Sequence, residues 1–81
     1  MRATVVIRPK QGILDPQGAA VQESLARLGY PVAGARVGRV VDLELTSGDA
    51  AEARADIERM CADLLANALI ESYEITIEGE A

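Results

Sequence analysis

Residues 32–46 read VAGARVGRVVDLELT, and the fold turns on how this stretch is laid out. Its apolar residues Val37, Val41, Leu43 and Leu45 share one parity, the alternation of an extended chain with one face toward a core. At ~3.3 Å per residue the stretch would reach about 50 Å, whereas a compact chain of this length has a radius of gyration near ~12 Å. It must therefore bend, fold into a hairpin or project from the domain. Gly38 is where the backbone yields most readily, because it has no Cβ. Gly38-Arg39 fits a two-residue hairpin turn, and it fits equally a bulge in one long strand.

The flanking segments are easier to place. Upstream, Ala3, Val5 and Ile7 alternate with Thr4, Val6 and Arg8, a half-buried strand that Pro9 ends. Asp15 is a good N-cap, and Pro16 sits at the first helical position, where a missing N–H costs nothing. Leu14 before the cap is expected to staple onto Ala19. Gly18, Val21, Leu25 and Leu28 form an apolar stripe at helical spacing, Gly29 supplies a left-handed C-terminal cap, and Pro31 blocks continuation. Downstream, Asp49 caps a second helix, with Glu52 completing a capping-box pattern. Ala53, Ile57, Met60, Cys61 and Leu64 are expected on its buried face. Arg54 with Glu58 and Arg59 with Asp63 are placed to pair outside. Asn67 is the expected terminator. Tyr73, Ile75 and Ile77 alternate with Glu74, Thr76 and Glu78 in a last strand, and Gly79–Ala81 is expected to fray. The order predicts one domain over 1–81. Its class is α+β: a two-layer β-α-β(β)-α-β sandwich with a mainly antiparallel sheet, both helices on one face, and a long bent central strand or hairpin.

Composition narrows the function. The chain has 81 residues, no histidine, no Phe or Trp, and a single cysteine. A small core built only from aliphatic residues is thin, so self-association is the default expectation. The net charge of −5 is unevenly spread. Residues 1–41 hold six basic and two acidic side chains, and residues 42–81 hold two basic and eleven acidic. A net acidic chain with almost no stacking aromatics is a poor nucleic-acid binder. The split suits complementary protein surfaces, and it suits equally a set of solvated acidic helix faces. No apolar run is long enough to span a bilayer, and no signal-peptide pattern follows Arg2. One unpaired cysteine fits a reducing cytoplasm.

A search for chemistry finds little. Cys61 lies on an apolar stripe with no histidine to activate it, so it reads as core. The carboxylates of the second helix point outward, and Asp42 and Glu44 read as the charged side of an exposed strand. A zinc site of N/S ligands cannot be assembled. KQGILDPQGAAV, residues 10–21, places Lys10 and two glycines before a helix, which suggests a phosphate cradle. Against this, Pro16 removes a donor, Asp15 puts a negative charge at the anion position, and the spacing fits neither a P-loop nor a dinucleotide fingerprint. The stretch reads as a stiff turn. No catalytic, cofactor-binding or metal-binding residue is assigned.

In chain order, KQGILDPQGAAV, LGYPV (28–32), ARVGRVVDLEL (35–45) and MCADLLANALIESYEI (60–75) resemble the PurS family, the small subunits of multi-subunit phosphoribosylformylglycinamidine synthase. Ala68 departs from it, since the family usually has proline after the asparagine. The resemblance implies an oligomeric, non-catalytic subunit. It would bridge a glutaminase subunit and a large subunit that holds ATP and magnesium, in an ATP-dependent amidation of purine biosynthesis. Candidate interface residues follow from rigidity and charge. They are Lys10, Gly12, Asp15 and Pro16 in the pre-ordered turn, and Arg36, Gly38 and Arg39, where a missing side chain lets another backbone approach. Two other classes share the layout. An RNA-binding sheet would need stacking aromatics that are absent, and a small-molecule-sensing regulatory module would bind its ligand at a dimer interface.

Overall fold

The computed structural model describes residues 1–46 and 48–78; the expected fraying of Gly79–Ala81 lies outside the described residues. Five main elements follow one another: β1 (Arg2–Pro9), α1 (Pro16–Arg27), β2 (Arg39–Glu44), α2 (Ala50–Met60), which runs on into a single π turn over Cys61–Leu65, and β3 (Glu71–Ile77). The sheet has the order β2-β1-β3, with both neighbours antiparallel to β1. The α+β class and the antiparallel sheet are as expected.

The question posed by residues 32–46 has a specific answer. The stretch is neither a hairpin nor one long strand. Only Arg39–Glu44 pairs with β1, in a register that sets Ile7 opposite Arg39 and Arg2 opposite Glu44. Residues 31–38 run back along α1 instead: Gln22 Nε2 donates to the Val32 carbonyl at 3.0 Å, and the Val37 amide donates to Asp15 Oδ2 at 2.9 Å. Gly18 of α1 packs directly on the Ala35 carbonyl, where a Cβ would overlap it. A 12-residue helix of about 18 Å going out is matched by an extended lead of similar length coming back. The molecule is elongated, with extents of 48 × 25 × 18 Å and a radius of gyration of 15.9 Å, well above the compact expectation.

The core sits where β1 meets α2. Ala3, Val5 and Ile7 on one face of β1, Ile77 of β3, and Ala53, Ile57 and Cys61 are buried together. Val41, Leu43, Leu45 and Ile75 pack at its margin. Full burial of each large aliphatic is worth roughly 1.5–3 kcal/mol. The α1 stripe does not take part. Gly18 is the buried residue of α1, while Val21 and Leu28 are exposed. Leu14 is 84% exposed and makes no staple.

The end of α2 also departs from simple helical phase. Ala66 N–H reaches the Cys61 carbonyl at 3.1 Å, the wider ring of a π turn. The extra residue rotates Leu64 out of the expected stripe, leaving it 84% exposed. Arg59 pairs with Asp56 rather than with Asp63. Asn67 is not left-handed, as no non-glycine residue described has positive φ. It makes an Asx turn in which its Oδ1 accepts from the Leu69 amide at 3.1 Å and its carbonyl from the Ile70 amide.

Candidate partner interface

The sequence singled out two segments some twenty residues apart, and Asp15 joins them. Its Oδ1 accepts from the Gly18 amide at 3.0 Å, the helix cap, while Oδ2 accepts from the Val37 amide. The Gly18 amide, then the Val37 amide, hold the Asp15 carboxyl below its ordinary value, with a smaller contribution from Arg36. One side chain therefore both starts α1 and anchors the returning lead. The result is a shallow cleft of about 460 Å³ between the two segments, with Lys10, Gly12, Asp15 and Arg36 on its walls. Gly12 adopts φ +81°, and Gly29 φ +93° at the far end of α1, the left-handed conformations that glycine takes freely.

Besides Asp15, four of the sequence-selected residues have work inside the fold. Lys10 Nζ donates to the Ala68 carbonyl at 2.7 Å. Gly38 does allow a close backbone approach, but the backbone is the chain's own: a Cβ there would overlap the Ile7 carbonyl oxygen. Arg39 grips Glu71 with both terminal guanidinium nitrogens, at 2.8 and 3.2 Å, and Nη2 also donates to the Leu65 carbonyl. Glu71 in turn accepts from the Asn67 amide at 2.8 Å. That amide first, and Arg39 second, hold the Glu71 carboxyl below its usual range. Arg39 thus ties the start of β2 to the start of β3 and to the π turn. Pro16 stands at the first helical position, as expected, and its role is in the helix start.

The sequence reading missed Glu71, which looked like one more surface carboxylate, and the apolar loop residues Ile13, Leu69 and Ile70, which are exposed. A larger depression of about 610 Å³ lies elsewhere, on the bare face of the sheet among Arg2, Thr4, Asp42 and Thr76. Charges of both signs line it, and Thr4 Oγ1 donates to Asp42 at 3.0 Å. It is the hollow of an uncovered twisted sheet. No group of three or more metal-ligating side chains occurs among the described residues. Cys61 is buried, and burial first, with Glu58 adding, pushes its thiol up. No helix described is long and apolar enough to cross a membrane.

Residues 2–79 match the family model for PurS, described as phosphoribosylformylglycinamidine (FGAM) synthase. The chain belongs to the PurS family. The FGAM synthase subunit PurS of Synechocystis sp. is 45% identical, over 96% of this chain and 80% of that one. The crystal structure of Methanocaldococcus jannaschii PurS, one of the subunits of formylglycinamide ribonucleotide amidotransferase in the purine biosynthetic pathway, is 33% identical. It covers 99% of this chain and 98% of that one with a TM-score of 0.84. The structure of PurLQS from Thermotoga maritima matches at TM-score 0.83 and 25% identity, over 93% of each chain. Membership of the PurS family makes this chain a subunit of FGAM synthase in purine biosynthesis. The turn at Ala68 is held by the Asn67 and Lys10 hydrogen bonds.

Proposed function

We propose that the chain is the non-catalytic bridge of FGAM synthase, holding a glutaminase subunit against the large ATP-dependent subunit so that ammonia passes between them. In the full reaction, formylglycinamide ribonucleotide, glutamine and ATP give formylglycinamidine ribonucleotide, glutamate, ADP and phosphate. ATP and magnesium belong to the large subunit, and this chain binds neither. The complex works in the cytoplasm, and the chain is at least a homodimer, paired through the free edges of β2 and β3. Docking falls to the turn from Lys10 to Gly18 and to Arg36.

The observation that carries this reading is the convergence of two pre-ordered segments on one cleft, where Lys10 and Asp15 are engaged by the chain's own backbone. A surface fixed by its own hydrogen bonds loses little entropy on binding, which suits an adaptor and adds nothing to catalysis. Reconstitution tests it. Purified glutaminase and large subunits should show little glutamine-dependent synthase activity until this chain is added, and the chain alone should show none. Cys61→Ser should leave the activity of the reconstituted complex within about two- to threefold, because no nucleophile is lost. A folded Cys61→Ser chain that fails to restore activity would refute the non-catalytic assignment, and sedimentation as a stable monomer would refute the dimer.

A further inference from the structure

We propose that the loop end of the sheet is a docking surface for a segment of a different polypeptide that presents aliphatic side chains flanked by carboxylates. This rests on the reading of the chain as a bridging subunit and adds both a second loop and the chemistry of the occupant.

The surface is assembled from parts far apart in sequence. The Lys10 amide donates to the Ile70 carbonyl at 2.8 Å and Lys10 Nζ to the Ala68 carbonyl at 2.7 Å, which fasten loop 10–14 to loop 66–70. Ile13, Leu14 and Ile70 then line one cleft beside Val37 and Gly38. Leu14 and, next to Ile70 in the chain, Leu69 are each 84% exposed. Strand or helix phase does not require aliphatic residues at these loop positions, and their exposure leaves apolar area that only another molecule can cover. The backbone beneath them is already fixed. Asp15 ties the first loop to residue 37, while Asn67 and Glu71 close the second turn on themselves. The patch is therefore presented with little entropy left to lose.

Charge selects the occupant. Both carboxylates at this end are engaged internally, Asp15 by two amides and Glu71 by an amide and Arg39. Arg36 makes no hydrogen bond or ion pair among the described residues, and Lys10 keeps two ammonium protons beyond its carbonyl bond. Lys10, Arg36 and Arg39 outnumber Asp15 and Glu71 at this end, so the charge beside the aliphatic cleft is net positive, which favours carboxylates on the occupant. A second copy docking here through a two-fold axis would set this patch on itself and bring two net positive loop ends together. The free sheet edges and bare sheet face serve a second copy better.

The test titrates the chain into purified glutaminase and large subunits and reads the concentration giving half-maximal synthase activity. The double substitution Leu14→Ser with Leu69→Ser, at positions too exposed to disturb the fold, should raise that concentration about tenfold or more. Arg36→Glu should raise it several-fold at low salt and less at high salt. Leu28→Ser, 73% exposed at the far end of α1, should match the unaltered chain. If both loop variants activate like the unaltered chain, the surface is elsewhere while the bridging role stands. If the unaltered chain does not activate the subunits at all, the bridging role itself fails. Tighter binding by Arg36→Glu would overturn the acidic occupant. A change in self-association mass for the leucine variant would assign the face to a second copy and overturn the proposal.

Discussion

Two helices of almost equal length, 12 residues in α1 and 11 in α2, have opposite fates, and the connections they make explain why. β2 and β3 lie on either side of β1 and run parallel to one another. The link between them must cross the sheet, so α2 lies on the sheet's face and buries Ala53, Ile57 and Cys61. β1 ends and β2 begins at the same end of an antiparallel pair, where Ile7 faces Arg39. Nothing obliges that link to cross a face. α1 goes out, residues 31–38 come back, and only Gly18 is buried. A helix of this length is marginal in isolation, so α1 depends on its Asp15 cap, its Gly29 terminus and the lead beside it. Amphipathic spacing makes a helix; connectivity decides whether its apolar stripe is covered.

The largest effect should separate the two helices most sharply. Ile57→Ala removes a side chain with no exposed surface and should cost about 2–5 kcal/mol in urea unfolding. Val21→Ala in α1, at a position 42% exposed, should cost less than about 1 kcal/mol. Equal losses would mean that the α1 stripe is covered after all, as in a stable self-assembly, and the contrast would belong to the monomer alone.

A smaller effect probes the contact between α1 and its lead. Helix propensity favours alanine over glycine by about 1 kcal/mol, yet a Cβ on Gly18 would overlap both the Ala35 carbonyl and the Asp15 carboxylate. The clash should win, giving a net loss of about 1–3 kcal/mol. Gly34→Ala meets open space at ordinary φ and should be neutral or stabilise by up to about 1 kcal/mol. A stabilising Gly18→Ala would show that the lead yields easily and that the pairing with α1 is loose.

The smallest effect is local and depends on pH. Asp15 is held below its ordinary value in the folded chain. Its contribution is therefore complete above the unfolded carboxylate value near ~3.9 and is lost as pH falls through the lower folded value. Amide exchange at Gly18 and Val37 should accelerate together over that acid range, before the amides of Val5 and Ile7 in β1 lose protection. Simultaneous loss in both regions would make the excursion and the sheet one cooperative unit rather than two of unequal stability.

Much of this was legible in the sequence. The parity of Ala3, Val5 and Ile7 gave the buried face of β1, Asp15 with Pro16 gave the start of α1, and Gly29 its end, because each rests on contacts within a few residues. The candidate surface was half legible. Proline and glycine placement marked the rigid turn, and the charge split marked Arg36, but the partnership of loop 10–14 with loop 66–70 had no local signal. The bidentate grip of Arg39 on Glu71 was hidden for the same reason, as were the close pass of Gly38 over Ile7 and the π turn that expels Leu64. By itself, then, the sequence determined α1, α2, β1 and β3, the α+β class and the family, since strand and helix periodicity and capping act locally along the chain. Which helix covers the sheet, which glycine meets which carbonyl, and which charges remain unspent at the loop end were decided by tertiary structure alone, because each depends on groups that only strand order and register bring within bonding distance.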